Sequence, residues 1–164
     1  MDVVHAFRSR KKWITAIAGI AVIGAFAAVA LGSTGVGFAP TNLATASLVN
    51  EVKLNSDRVK LQTKGPTDVR VQKVVIAPAG RSGWHHHPGI VIVAVESGQV
   101  TFTNSDCSST TYGAGLPAGS AFIEDGNDPG EASSVGGAVV YATFVAPHAV
   151  PPVFRIEDDP QSCP

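Results

Sequence analysis

The sequence predicts an all-β protein built around one barrel-like domain. Beyond residue 50 helical periodicity is hard to find, whereas short β-rich runs bounded by turn residues recur. Many short strands at close spacing are typical of a sandwich or barrel. At 164 residues the chain is long enough for one ordinary domain and too short for two.

Five strands are predicted from apolar runs that alternate with polar residues or are apolar on both faces. They cover residues 68–78, 89–98, 99–104, 119–126 and 137–147. Along the first run Val69 and Val71 lie on one side, with Arg70 and Gln72 on the other, as in a half-buried strand. The second run is apolar on both faces, which is typical of a strand that is covered on both sides.

The N-terminus carries the pattern of an export signal. Residues 13–31 hold no charge and no proline, and four cations precede them: Arg8, Arg10, Lys11 and Lys12. The apolar run of 19 residues is longer than a usual secretory segment and close to the length of a spanning helix. We therefore predict an N-terminal hydrophobic helix within 1–31, either a cleaved signal peptide or a membrane anchor. In both cases the domain would be extracytoplasmic.

Composition divides the remainder into a spacer and a domain. Residues 32–50, rich in Gly, Ser, Thr and Ala, are predicted to be a flexible spacer, and the barrel domain is predicted over 51–164. Residues 47–164 carry eight basic and twelve acidic residues, a net charge of −4. No basic block remains in that part of the chain, so a nucleic-acid partner is not expected.

Both cysteines of the chain, Cys107 and Cys163, follow the predicted leader. An even number of cysteines in an oxidising compartment favours a disulfide. We predict that this bond joins the C-terminal tail to the body of the domain.

Three of the five histidines are consecutive, in the stretch GWHHHPG over residues 83–89. In a strand, His85 and His87 point to one face and His86 to the other. Two imidazoles on a concave sheet face begin a metal site. A stable site for a transition metal needs at least one further ligand, so the spacing by itself predicts half a site.

These residues resemble the cupin superfamily. His85-His86-His87 fits the His-x-His of that family's first motif, and Gly98 falls at its distant glycine. The likeness is to small single-domain cupins with a GWHxHPG opening, and it extends over about residues 64–164. It implies one cupin-type β-barrel, a double-stranded β-helix or jelly roll. By analogy with the family, it also implies a homodimer.

The chain departs from the family at two of the four usual metal ligands. The motif glutamate would fall on Val91, and the histidine of the second motif, which begins at Pro117, would fall on Phe122. We therefore expect a weak metal site or none. If Mn, Fe, Zn, Ni or Cu binds, His85 and His87 would ligate it and a carboxylate such as Glu124 would complete the shell.

Two functions follow from the resemblance. The first is an exported binding protein whose barrel holds a small molecule in a pocket lined by Trp84, His85, His87 and Phe122. The second is a metal-dependent cupin enzyme of the dioxygenase, decarboxylase or isomerase type, with His85 and His87 as ligands. The sequence identifies no catalytic residue and no substrate, and one barrel fold hosts many chemistries.

Overall fold

The computed structural model describes residues 34–163, and these residues form strands and loops. This confirms the predicted all-β class. No helix in that range is long and apolar enough to cross a bilayer. The predicted hydrophobic helix, and with it the signal peptide or anchor over 1–31, lies outside the described residues.

Eleven strands are present between residues 34 and 163. Their bounds are β1 Val36–Leu48, β2 Lys53–Asn55, β3 Lys60–Gln62, β4 Thr67–Arg81, β5 His85–His86, β6 Ile90–Asn104, β7 Ser109–Gly113, β8 Ala121–Glu124, β9 Gly130–Ser134, β10 Ala138–Pro147 and β11 Ile156–Glu157. β2 and β3 form a separate hairpin, and the other nine strands belong to one sheet.

That sheet closes on itself as a barrel. β4 pairs with β10, β10 with β6, β6 with β9 and β9 with β4, all antiparallel. Closure is possible because β4 and β6 are 15 residues long and each continues from one wall of the barrel to the other. β1 and β8 extend one wall, and β5 and β11 extend the other beyond β9.

The core fills the inside of this barrel. Along β10 every second residue is buried, from Ala138 to Ala146, while the residues between them are half-buried. Val91 and Val100 of β6 are each only 1% exposed. This period of two is the pattern of a strand with one face on the core.

β4 alternates as predicted, but its interior face is the one that carries Arg70 and Gln72, together with the buried Val74 and Ile76. Val75, which the sequence placed with Val69 and Val71 on the apolar side, is 48% exposed.

Two predicted strands, 89–98 and 99–104, are one strand in the structure. β6 continues through the Ser97-Gly98 pair that the sequence interpretation treated as a turn. Gly98 has φ +75°, and a Cβ there would collide with the carbonyl oxygen of Gly137, immediately before β10. The glycine therefore marks a bend in a continuous strand, where the backbones of β6 and β10 approach closely.

The predicted spacer over 32–50 is wrong for most of its length. Residues 36–48 form β1, which pairs with β4 from Val36 opposite Arg81 to Leu48 opposite Thr67. Most of β1 is exposed, but Phe38 packs on the core. The small polar residues that suggested a linker are those of an exposed edge strand, whose order comes from backbone pairing rather than from burial.

A buried carboxylate joins the far end of β1 to the start of β4 and to the loop after β10. Asp68 is 1% exposed and accepts hydrogen bonds from Ser47 Oγ at 2.5 Å and His148 Nδ1 at 2.8 Å. The backbone amide of Ala149 donates to its other oxygen. The Ser47 hydroxyl, followed by His148, lowers the pKa of Asp68 from 3.8 to about 2.

The Asp68 network predicts an acid-dependent loss of stability. The folded-state pKa of Asp68 lies below its unfolded value. As the pH falls from 3.8 towards about 2, the unfolded state therefore binds more protons than the folded state does, and protonation favours unfolding. We expect the free energy of unfolding in urea to decrease across this window, and to decrease less steeply in Asp68→Asn, which has no carboxylate to titrate. The exposed Asp57→Asn variant is the control and should keep the wild-type pH profile. An unchanged profile in Asp68→Asn would contradict the assignment.

The predicted disulfide is present. Cys107 and Cys163 are joined, with their Cα atoms 5.4 Å apart and 56 positions apart in the sequence. The bond connects the turn between β6 and β7 to the C-terminal tail. Because the tail carries only the two-residue strand β11, the covalent link is a main source of its order.

Removing the disulfide should reduce stability. A loop closed over 56 positions lowers the entropy of the unfolded chain enough to stabilise the fold by about 4 kcal/mol. We expect the double variant Cys107→Ser/Cys163→Ser to lose this amount in urea unfolding. A reductant should bring the wild type to the same value and leave the double variant unchanged. Equal stability of the oxidised wild type and the double variant would refute a stabilising role.

Candidate metal centre

The three consecutive histidines are divided between two faces, as the alternation predicted. His85 and His87 are each 5% exposed and line the cavity inside the barrel. Their rings are nearly perpendicular, with centroids 4.8 Å apart. His86 points the other way and its Nδ1 pairs with Asp158 Oδ2 at 2.8 Å. The backbone of His86 also pairs with Ile156, so this strand is held against the C-terminal tail.

Backbone carbonyl groups orient both inward-facing imidazoles. Nδ1 of His85 lies 2.8 Å from the carbonyl oxygen of Gly83, and Nδ1 of His87 lies 2.5 Å from that of Phe154. A carbonyl can only accept, so each Nδ1 must carry the proton and donate it. In the neutral tautomer this leaves Nε2 of each ring with a free lone pair. Metal-ligating histidines show this arrangement, with the second nitrogen donating to a backbone oxygen.

Burial keeps His85 neutral. Desolvation, followed by the electrostatic effects of Arg155 and of His87, lowers its pKa from 6.5 to about 3. A neutral imidazole has a nitrogen available as a metal ligand without first losing a proton. At neutral pH His85 is therefore in the state that coordination requires.

Glu124 brings a carboxylate to the same place. It stands on β8 directly opposite Val91 of β6, and its Oε2 lies 3.1 Å from Nε2 of His87. Its side chain is only 13% exposed. The sequence placed the family glutamate at Val91, and the structure places a carboxylate on the neighbouring strand at the paired position.

The contact between His87 and Glu124 requires a positive charge. Because Nδ1 of His87 donates to Phe154, its Nε2 in the neutral form is an acceptor facing a second acceptor, the Glu124 carboxylate. Two acceptors at 3.1 Å repel each other unless a proton or a cation lies between them. A bound metal cation satisfies both atoms and also the lone pair of His85.

The three side chains fit a transition metal. One ligand atom from each of His85, His87 and Glu124 lies within 4.8 Å of the others. Bonds of about 2.1 Å to a common ion need somewhat shorter separations, which small side-chain rotations supply. Two histidines and one carboxylate on one side of an ion form the facial triad of non-haem iron sites, and zinc or manganese can accept the same donors.

The three side chains face a cavity of about 610 Å³ inside the barrel. Its wall is mainly apolar, formed by inward residues of β4, β6, β8 and β10, including the predicted pocket residue Phe122. A mostly apolar cavity of this size with a few convergent polar groups is typical of a small-molecule site. Coordination positions opposite the three ligands would open into this space.

Trp84 does not line this cavity, in contrast to the prediction for it. The side chain is 6% exposed and faces a smaller cleft on the other side of the strand, beside Arg81, Glu131 and Cys163. Alternation explains the difference, because residue 84 lies on the face opposite 85 and 87. The Trp84 carbonyl accepts from the amide of Asp158 and so helps to hold the tail.

The sequence interpretation missed two parts of the cavity wall. The tail contributes Phe154, Arg155 and Glu157, and the segment predicted as a spacer contributes Phe38 and Pro40. Arg155 is bound to the Glu157 carboxylate and to the Ser82 carbonyl oxygen. Phe38 and Phe154 are isolated aromatics in polar or proline-rich stretches, and such residues are a signal that a segment packs on a core.

Comparison with known proteins gives likenesses of fold. The sequence matches no protein-family profile. It also matches no curated protein. A conserved protein of unknown function from Streptococcus pyogenes superposes with a TM-score of 0.44, at 16% identity over 65% of this chain and 77% of that chain.

Two further solved structures are similar over about half of the chain. A conserved protein with a double-stranded β-helix domain from Klebsiella pneumoniae has a TM-score of 0.41, at 22% identity over 48% of this chain and 67% of that chain. Salicylate 1,2-dioxygenase from Pseudaminobacter salicylatoxidans has a TM-score of 0.40, at 12% identity over 46% of this chain and 20% of that chain. The matched region thus spans about a fifth of that enzyme's length.

Proposed function

We propose that this chain is an exported cupin-type protein that binds a divalent transition metal through His85, His87 and Glu124 and holds a small molecule beside it. The observation that supports the metal most directly is the contact of His87 Nε2 with Glu124 Oε2 at 3.1 Å, while Nδ1 of the same ring donates to Phe154. A metal cation between these two acceptors would satisfy both and would also use the free lone pair of His85 Nε2.

The cavity supports the small-molecule part of the proposal. The protein ligands come from one side, and about 610 Å³ of mainly apolar space lies on the other. A ligand entering this space would lose most of its contact with water and could reach the remaining coordination positions. A metal bound there would supply Lewis-acid polarisation of a ligand oxygen, while the chain positions the ligand and excludes water.

Catalysis by the same site is the second candidate function, favoured by the composition of the ligand set. Two histidines and one carboxylate leave several coordination positions for substrate or water, whereas a purely structural zinc site is closed by four protein ligands. His85 and His87 would hold the ion, and Glu124 would offset part of its charge. Binding without turnover uses the same residues, so both candidates depend on the metal.

The proposal that the protein is exported is supported by the Cys107–Cys163 disulfide. Such bonds persist in oxidising compartments and are rare in the cytosol. The basic residues before the apolar run over 13–31 point to the same destination.

Metal content is the direct test. We expect full-length protein purified without a histidine tag to bind about one equivalent of divalent metal by mass spectrometry. Removing one of three ligands, in His85→Ala, His87→Ala or Glu124→Gln, should weaken binding by roughly 100-fold or more, beyond the loss typical for an outer-shell partner.

His86→Ala is the matched control for the metal measurement. It removes the imidazole between the two ligands, which pairs with Asp158 outside the cavity, so metal binding should persist. Circular dichroism of each variant establishes that the barrel is folded. Wild-type protein without metal after reconstitution, or metal retained equally by the three ligand variants, would overturn the proposal.

A further inference from the structure

Arg70 places a guanidinium on the wall of the cavity. Together with Gln72 it lies on the inward face of β4, and both residues line the cavity. The Cζ of Arg70 stands 4.0 Å from the centroid of the Phe154 ring, and its Nε donates to Thr45 Oγ1 at 3.3 Å. The aromatic ring and the hydroxyl hold the guanidinium plane in place.

The guanidinium of Arg70 has N–H donors that are not used by the described part of the protein. Among residues 34–163, neither terminal amino group of Arg70 makes a hydrogen bond, and no carboxylate forms an ion pair with it. The other arginine at the cavity, Arg155, binds Glu157 through Nε and Nη2 and the Ser82 carbonyl oxygen through Nη2. Arg155 thus has a carboxylate partner within residues 34–163, whereas both terminal amino groups of Arg70 can donate to an anionic ligand.

The charges inside the cavity complement an anion. Arg155 and Glu157 neutralise each other. A divalent ion on Glu124 would leave about one positive charge at the metal centre, and Arg70 adds a second. A fixed guanidinium with two free amino groups matches a carboxylate, which can accept both hydrogen bonds at once.

The distance from Arg70 to the metal centre indicates the shape of the ligand. Inward residues on adjacent strands form one row, in which Arg70 pairs with Phe144, Phe144 with Val91, and Val91 with Glu124. Strands lie about 4.8 Å apart, so the path along the curved wall from one end of the row to the other is roughly 14 Å, and the direct distance across the cavity is shorter. The side chains between them are those of Phe144 and Val91, and both are apolar.

We propose that Arg70 binds the carboxylate of a small organic acid whose apolar body lies along Phe144 and Val91 and whose other end points towards His85, His87 and Glu124. This inference rests on the proposed small-molecule function of the cavity and names the class of its ligand. It assigns Arg70 a role in binding and specificity and requires no chemical step.

Radiolabelled benzoate in equilibrium dialysis is a suitable probe, because it combines one carboxylate with a compact apolar body. We expect the zinc-loaded full-length protein to bind benzoate, and its uncharged isostere benzamide to compete poorly. Arg70→Gln should weaken benzoate binding by roughly 10- to 100-fold, the loss expected for hydrogen bonds to a charged group. The Arg70→Lys variant keeps the charge but cannot donate two parallel hydrogen bonds to a carboxylate. Its affinity for benzoate should therefore lie between those of the wild type and Arg70→Gln.

Arg58→Gln is the matched control, since that arginine is 92% exposed and outside the cavity. It should bind benzoate as the wild type does. Zinc affinity, measured on the same samples, should be unchanged in Arg70→Gln. Absence of benzoate binding, equal affinity in Arg70→Gln, or equal competition by benzamide would overturn the role of Arg70.

The two proposals fail in different ways. If zinc binds and benzoate binding does not depend on Arg70, the proposed ligand class is wrong and the proposed metal centre is retained. If zinc fails to bind while benzoate still requires Arg70, the metal centre is wrong and the carboxylate site stands.

Discussion

The proposed metal centre depends on two hydrogen bonds from imidazole nitrogens to backbone carbonyl oxygens. The carbonyls of Gly83 and Phe154 take the Nδ1 protons of His85 and His87, and thereby leave both Nε2 lone pairs free inside the barrel. Backbone groups serve this purpose well because they cannot rotate away or change protonation. The site is then specified by the path of the chain as much as by the identity of its ligands.

One of those carbonyls belongs to the C-terminal tail, so the tail is part of the site. Phe154 accepts from His87 with its backbone and lies beneath Arg70 with its ring. Backbone pairing of β11 with β5, together with the bond from Cys107 to Cys163, holds this segment against the barrel. Loosening the tail would therefore disturb the orientation of two side chains together: His87, a proposed metal ligand, and Arg70, the proposed carboxylate-binding residue.

Alternation along the chain predicted the all-β class, the division of the three histidines between two faces, and the strand β4, although the interior face of β4 is the one that carries Arg70 and Gln72. It failed where order comes from pairing with distant segments. β1 is mostly exposed, so apart from the single aromatic Phe38 it is its register with β4 that distinguishes it from a linker. The role of Phe154 also cannot be predicted from the local sequence, because its carbonyl oxygen accepts a hydrogen bond from His87, which lies 67 positions earlier in the chain.

The carboxylate of the site shows why a ligand set cannot be inferred from positions in a motif alone. Val91 and Glu124 are paired across β6 and β8, and side chains at paired positions of an antiparallel sheet are about 5 Å apart on one face. A glutamate can therefore move from one strand to the other and still present its oxygen to nearly the same point. Because a metal constrains where ligand atoms lie and not which strand carries them, the absence of glutamate at 91 is compatible with the proposed site.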